Sequence, residues 1–244
     1  MAGKTRDINS PGFALAFIGA LAVILAAAVS VIQVTTVKVV AGNESLRRSA
    51  VLVELFDLAG GQAFDRKDAP AIVEKHTDQT MTIADPKTGR KFPLVTAYRE
   101  PRRSDGGFNP ESLIGYAFEF DGLGFWAPIR GMLAVSPKAD SVIGIAFTDQ
   151  KETPGLGGRI EEKWFREKFA GLSIFVEPKA PKLINISLQE PPSGTHMVNR
   201  HVDAISGATQ TCMALDRLLN ENLESFQRAF GNRAAPQPQA EKHD

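Results

Sequence analysis

From Ile8 to Val37 the chain carries no charged side chain, and Phe13 to Val29 reads FALAFIGALAVILAAAV, almost wholly apolar. A helix crossing the hydrocarbon core of a bilayer needs about 20 residues, so this run is long enough to span a membrane. No comparable run follows it. A cleaved signal peptide is the competing reading, because Lys4 and Arg6 form a basic leader and Ala26-Ala27-Ala28 could precede a cleavage site. Against cleavage, the apolar character continues through Val31, Ile32 and Val34, past the length of a signal-peptide core, which favours a retained single-pass anchor. Lys4 and Arg6 on one side face Lys38, Arg47 and Arg48 on the other, so charge alone leaves the orientation open.

With 244 residues and 43% hydrophobic content, the chain can bury one good core behind that anchor. Lys and Arg number 28 and so do Asp and Glu, so no basic face for nucleic acid is indicated. The single cysteine, Cys212, excludes an internal disulfide and a thiolate cluster. His76, His196, His201 and His243 are scattered, with no pair at the spacing that places two imidazoles on one helical face, and no metal site is expected. His196 and His201 do come close in sequence to a Ser-Gly-Ala-Thr turn, though loop histidines are more often solvated than ligand-bound. A chain of this composition that moves electrons must borrow a cofactor, because its side chains hold no redox group.

Beyond the anchor, Asn43 to Leu58 has apolar residues at helical spacing and is predicted to form a separate helix, ended by Gly60-Gly61, that lifts the domain off the membrane. Asp85 to Arg90 is a polar turn between strand-like runs Met81 to Ala84 and Lys91 to Tyr98, which reads as a hairpin. Arg99 to Pro110 is read as a surface loop with Arg102 and Arg103 solvated. Leu113 to Glu119, Ile129 to Val135 and Val142 to Phe147 are predicted strands of a central antiparallel sheet. Glu161 to Ala170 suits a short helix with Trp164 in the core, and Ile174 to Val176 with Ile184 to Leu188 a last strand pair. Cys212 to Phe230 carries Met213, Leu215, Leu218, Leu219, Leu223 and Phe226 on roughly one stripe that packs on the sheet.

The predicted fold class is α+β, an antiparallel sheet flanked by helices behind one N-terminal transmembrane helix. Its expected divisions are a tail at 1–10, the anchor at 11–37, a membrane-proximal helix and hairpin region at 38–110, the main domain at 111–231 and a disordered tail at 232–244.

Asp203-Ala204-Ile205-Ser206-Gly207-Ala208-Thr209 places a threonine hydroxyl where an amphipathic helix starts. Helix N-termini present unpaired N–H groups and the positive end of the macrodipole, a setting that suits a phosphate ester. Four small residues alone would read as an ordinary helix cap. Upstream, Glu152-Thr153-Pro154-Gly155-Leu156-Gly157-Gly158 forms a glycine-rich loop, stiffened by Pro154, that lets backbone approach a planar ligand. A third stretch, Gly122 to Gly131, is glycine-rich and holds Phe125-Trp126.

Together and in this order, the three motifs resemble the FMN-binding domain family, whose members include the C subunit of the sodium-translocating NADH:quinone reductase and the G subunit of the Rnf electron-transport complex. The resemblance covers about Leu113 to Leu219. It implies FMN joined through a phosphoester to Thr209, with Ser206, Gly207 and Ala208 completing the attachment motif. It also implies a separate flavin transferase that uses FAD as donor, because the hydroxyl has no adjacent base of its own. Asp203 either helps position the incoming phosphate or its metal, or is a helix-entry residue.

The flavin ring is expected against Glu152, Thr153, Gly155, Leu156 and Gly157, where Leu156 and Thr153 can supply an apolar contact and a hydrogen-bonding group. Trp126 is either an aromatic wall or simply core. The resemblance further implies an electron relay with no catalytic residue or substrate site of its own, within a sodium-translocating respiratory complex of the inner membrane, its soluble domain on the periplasmic side. The Rnf G subunit, a free-standing periplasmic-side carrier and a non-redox membrane-anchored scaffold are the alternatives. No GxGxxG follows a strand, so NADH oxidation would belong to another protein of the complex.

Overall fold

The computed structural model describes residues 11–175, 182–195 and 197–233. Two compact units divide between Leu46 and Arg47. In the first, helix α1 (Pro11–Phe56, which runs on into the second unit) has a segment Pro11–Gln33 of mean hydropathy 2.8 that is long and apolar enough to cross a membrane. Thr35 and Thr36 follow it without leaving open donors, since both hydroxyls donate to carbonyls one turn back, at Val31 and Ile32.

The second unit is built on a five-stranded antiparallel sheet in the order β1 (Thr77–Asp78), β4 (Val95–Tyr98), β5 (Leu113–Leu123), β6 (Pro128–Val135), β7 (Val142–Asp149). The three central strands expected from sequence are all present, β5 being longer than its apolar run. Alternation divides their side chains. Ala117, Met132 and Ala134 face one layer, with Leu52, Val53 and Phe56 of α1 and Ala69 and Val73 of α2 (Ala69–His76). Phe118, Phe120, Ile129 and Leu133 face the other, where α4 (Thr209–Gly231) lies. Phe118 stacks on Phe226 of α4 at 4.1 Å, and Phe92 meets both rings edge-on.

Residues 43–58 do not form a separate spacer helix. They continue α1, and their last turns pack on the sheet. α1 then ends in a Schellman turn in which Asp57 takes the left-handed position at φ 48°, with Leu58 N bonded to Val53 O and Asp57 N to Glu54 O. The hairpin forms as β2 (Thr82–Ala84) against β3 (Lys91–Pro93), but the second run splits at Pro93, which has no N–H to extend a ladder, and Val95 onward joins the main sheet.

Trp164, expected in the core, is 39% exposed. Phe165 and Phe169 are the buried residues. α3 (Lys163–Arg166) is a single turn followed by a 3₁₀ turn, so positions 165 and 169 share the inward side while Trp164 turns out beneath Arg159 and Lys168. The last strand pair also differs from expectation: β8 (Asn185–Ser187) pairs in parallel with β9 (His201–Asp203), and Ile174 is buried outside any strand. Residue 176, His196, His243 and the tail from 234 lie outside the described residues.

α4 is the central post. It buries Leu215, Leu218, Leu219, Leu223, Phe226 and Phe230, yet Met213, read as part of that stripe, is 59% exposed. At about 100° per residue, Met213 points away from Leu215 and Leu219 and lies on the outer face.

Candidate functional site

Thr209 is the first residue of α4 and is exposed. Ala208, its N-cap, has no side chain with which to bond the free N–H groups of the first turn, so those donors stay open. Ala208 N bonds Ile205 O to close a tight turn, and Gly207 occupies it at φ 82°, a left-handed position that favours glycine. Ile205 and Ala208 are buried while Ser206, Gly207 and Thr209 face out. The turn is thus anchored by two apolar side chains and presents the threonine hydroxyl to solvent. Behind it, Cys212 accepts a hydrogen bond from Ile205 N at 3.3 Å, and burial pushes its thiol above the usual range.

The loop from Glu152 to Gly158 lies beside this turn. A Cβ on Gly207 would stand 3.4 Å from Leu156 Cδ2, and one on Gly157 only 2.3 Å from Thr211 Oγ1, so the loop and α4 meet backbone to side chain. Thr153 O accepts from Leu156 N and Gly158 N, and Gly155 turns at φ 74°. Thr153, Gly155 and Leu156 are exposed at its crest, whereas Gly157 is buried against the helix.

Glu152 does something the sequence did not indicate. It is 4% exposed, and its carboxylate turns inward. Oε1 accepts from Phe125 N and Trp126 N at 3.0 Å each, and Oε2 accepts from Thr211 Oγ1 at 2.7 Å. One buried anion thereby ties the Gly124 to Ala127 loop, its own loop and the first turn of α4. With a longer bond from Ala127 N at 3.5 Å, four hydrogen bonds to the carboxylate offset its desolvation. Gly124 permits the approach, since a Cβ there would lie 2.5 Å from Oε1.

Trp126 is 68% exposed, with Phe125 edge-on to it at 4.9 Å and 49% exposed, so neither belongs to the core. Asp203 is not the helix N-cap. Its carboxylate bonds Lys168 Nζ at 2.6 Å and lies 3.3 Å from His201 Nε2, and the Lys168 contact chiefly holds it below the usual carboxylate range. His201 therefore faces Asp203 and Asn185.

Sequence reasoning missed the inward polar residues of α4. Besides Thr211, Asp216 accepts from Ile186 N, Asn220 bonds the backbone of Leu183 and Ile184, Asn222 bonds Asp121, and Ser225 bonds Asp85. Polar side chains interrupting an apolar face were the available signal. The outer face of α4 instead floors a cleft of about 610 Å³, bordered by Gly124, Phe125, Asn185, Ser187, Met213 and Arg217.

Residues 124–224 match the FMN-binding domain family. The chain is 32% identical to the C subunit of the Na(+)-translocating NADH-quinone reductase of Chlamydia caviae over 129 residues, 48% of this chain and 40% of that one. It is 33% identical to the Vibrio vulnificus C subunit of the same enzyme over 103 residues, 42% of this chain and 39% of that one. The matches thus span less than half the length of these relatives. The crystal structure of the C subunit from Parabacteroides distasonis shares the fold, with a TM-score of 0.59 and 19% identity over 79% of this chain and 95% of that one. NqrC of Shewanella oneidensis does so at 0.56 and 19%, over 76% and 95%.

Proposed function

We propose that this chain, similar to the C subunits of Na(+)-translocating NADH-quinone reductases and matching the FMN-binding domain over residues 124–224, carries FMN on Thr209 as a membrane-anchored electron relay. The observation that carries the reading is Thr209 itself: an exposed hydroxyl on the first residue of a 23-residue helix whose opening N–H groups no side chain caps. An ester phosphate there accepts those donors and meets the positive end of the macrodipole. The residues fit the rest of the group as well. Leu156, Phe125 and Trp126 offer exposed apolar surface, and Glu152 holds the two loops that bear them in register with α4.

Attachment forms one Oγ–P bond while the pyrophosphate bond of an FAD donor breaks. AMP leaves, and the hydroxyl proton passes to a base of the separate transferase, since among the described residues no acid or base is bonded to the Thr209 hydroxyl. The bound flavin supplies the electron-accepting group that no side chain of this chain provides. A covalent link suits a carrier with so open a site, because a freely dissociating cofactor would be lost by mass action. Other proteins of a respiratory complex deliver and remove the electrons, and Pro11–Gln33 holds the domain at the membrane, on its periplasmic side. Similarity to the reductase C subunit from more than one organism supports that host over Rnf.

The test is to express the chain with a flavin transferase, denature it and read in-gel flavin fluorescence beside Thr209→Ala. A fluorescent band that depends on Thr209 is expected. Dark bands in both, or equal fluorescence in the two, would overturn the assignment.

A further inference from the structure

A second cleft, of about 550 Å³, opens along β7, the outer strand of the five-stranded sheet. Leu55 of α1 and Phe64 of the loop after it, Ile143, Gly144 and Ile145 of β7, and Arg166 of α3 line it. None of its lining belongs to the Thr209 turn or to the loops that Glu152 joins. The start of β7 is covered, since Val142 N donates to Leu172 O and Val142 O accepts from Gly171 N. From Ile143 to Asp149 its backbone bonds only β6 among the described residues. An uncovered sheet edge is a template for a further strand. Arg166 is an independent sign of a missing partner. Its Nε is buried without a hydrogen-bond partner among the described residues, and its Nη1 lies 3.7 Å from Glu54 Oε2, too far for a hydrogen bond. The other charges at the cleft are engaged: Lys163 and Glu167 stand 3.6 Å apart, and the Asp57 carboxylate accepts from Gly61 N.

We propose that this cleft receives an extended segment of another polypeptide, its backbone along β7 and a carboxylate side chain on the Nε–H and Nη–H fork of Arg166. The proposal rests on the reading of this chain as one subunit of a membrane complex, and it names a surface by which a neighbouring subunit holds it. Main-chain bonds to an open edge supply affinity, and side-chain pockets beside the edge select the sequence. Two pockets select here. Leu55, Phe64 and Ile143, all partly exposed, form an apolar floor for an aliphatic or aromatic side chain. The guanidinium fork matches a carboxylate with two parallel hydrogen bonds, one of which satisfies the buried Nε. Glu54 gives up only a long contact made by an exposed carboxylate, and such pairs contribute little. A small amphiphile would meet the floor and Arg166 but leave the edge of β7 unpaired, so the occupant is polypeptide. A segment seated there contacts none of the residues that present Thr209.

The test co-expresses the full-length chain with the other subunits of its complex and a flavin transferase, solubilises the membranes in detergent and captures the chain by a tag. Retained subunits are measured against covalent flavin in the same gel for the parent, Arg166→Gln, Arg166→Lys and Lys87→Gln, the last an exposed cation on the β2–β3 turn serving as charge control. Separately, Gln62, exposed at the rim of the cleft, is replaced by the photo-crosslinker benzoylphenylalanine in an otherwise unchanged chain. Arg166→Gln is expected to retain at least about tenfold less of its neighbour, because it removes one partner of a buried charge pair. Arg166→Lys should recover part of the loss, Lys87→Gln should match the parent, and covalent flavin should be equal in all. The crosslink should join the chain to an acidic segment of another subunit, and it decides the matter even where Arg166→Gln fails to fold. Retention at the parent level by Arg166→Gln, or a crosslink that reaches only lipid or a second copy of this chain, would overturn the docking. A parent that carries covalent flavin yet retains no other subunit would overturn the complex on which the docking rests, and leave Thr209 intact.

Discussion

Thr211 Oγ1 donates a 2.7 Å hydrogen bond to Glu152 Oε2, joining residues 59 positions apart, two residues along α4 from the proposed attachment point. The other oxygen of the same carboxylate accepts the N–H groups of Phe125 and Trp126. Two loops and a helix start are therefore set by one side chain.

Removing that carboxylate should be costly. Glu152→Ala takes the acceptor from four donors, Phe125 N, Trp126 N, Ala127 N and the buried Thr211 Oγ1, and about 2–4 kcal/mol of stability should be lost, with Glu152→Gln costing well under half of that because its carbonyl still accepts. Urea unfolding of the two variants checks this. Equal losses would mean that packing, not the hydrogen bonds, holds the loops.

The two loop glycines should respond differently to a methyl group. At Gly157 a Cβ would lie 2.3 Å from Thr211 Oγ1, whereas at Gly155, φ 74°, it meets open space and only backbone strain applies. Gly155→Ala should cost about 1 kcal/mol and Gly157→Ala about 1–3 kcal/mol more. Gly157→Ala should also weaken flavin attachment, since it pushes the first turn of α4 off the loop. Thermal melts and labelling yields measure both effects.

Acid should weaken the fold through Asp85. Arg228 holds its buried carboxyl well below the usual range, aided by Ser225, Lys87 N–H and Thr88, against the opposing effect of burial. Because the folded pKa is depressed, the unfolded chain binds the proton first. The contribution is then complete above the unfolded value of about 3.9 and is lost as pH falls below it. Asp140, held low chiefly by Ser136, and Asp203, chiefly by Lys168, act in the same direction. Urea midpoints from pH 7 down to 3 should fall, and Asp85→Asn should start lower and fall less. Parallel curves would remove Asp85 from the explanation.

Cys212, 1% exposed and with its thiol pushed up by burial, should resist alkylation. At pH 8 the native protein should react with iodoacetamide at least about tenfold more slowly than the urea-unfolded chain. A comparable native rate would mean that the first turn of α4 opens readily.

The strands β5, β6 and β7 and the helix α4 were legible because each announces itself over a short window, by alternation or by helical spacing bounded by glycine and proline. Trp164 and Met213 were misread for a common reason. A hydrophobic residue in an amphipathic stretch is assigned to the core, but the side it takes depends on the phase of its own turn, and one residue of phase turns it outward. The parallel partner of β8 was out of reach, because nothing in Asn185–Ser187 distinguishes β9 from a nearer antiparallel neighbour.

What the sequence determined by itself was local: a membrane-length apolar helix, the period of each strand, the Ser-Gly-Ala-Thr turn, and a threonine at a helix start. Those depend on backbone preference and side-chain period, which neighbouring residues carry. Tertiary structure alone decided that Glu152 turns inward, that Asp85 meets Arg228 across 143 positions, and that Met213 and Arg217 face a cleft. Such pairings exist only once packing has brought distant segments within hydrogen-bond reach, and no spacing along the chain encodes that distance.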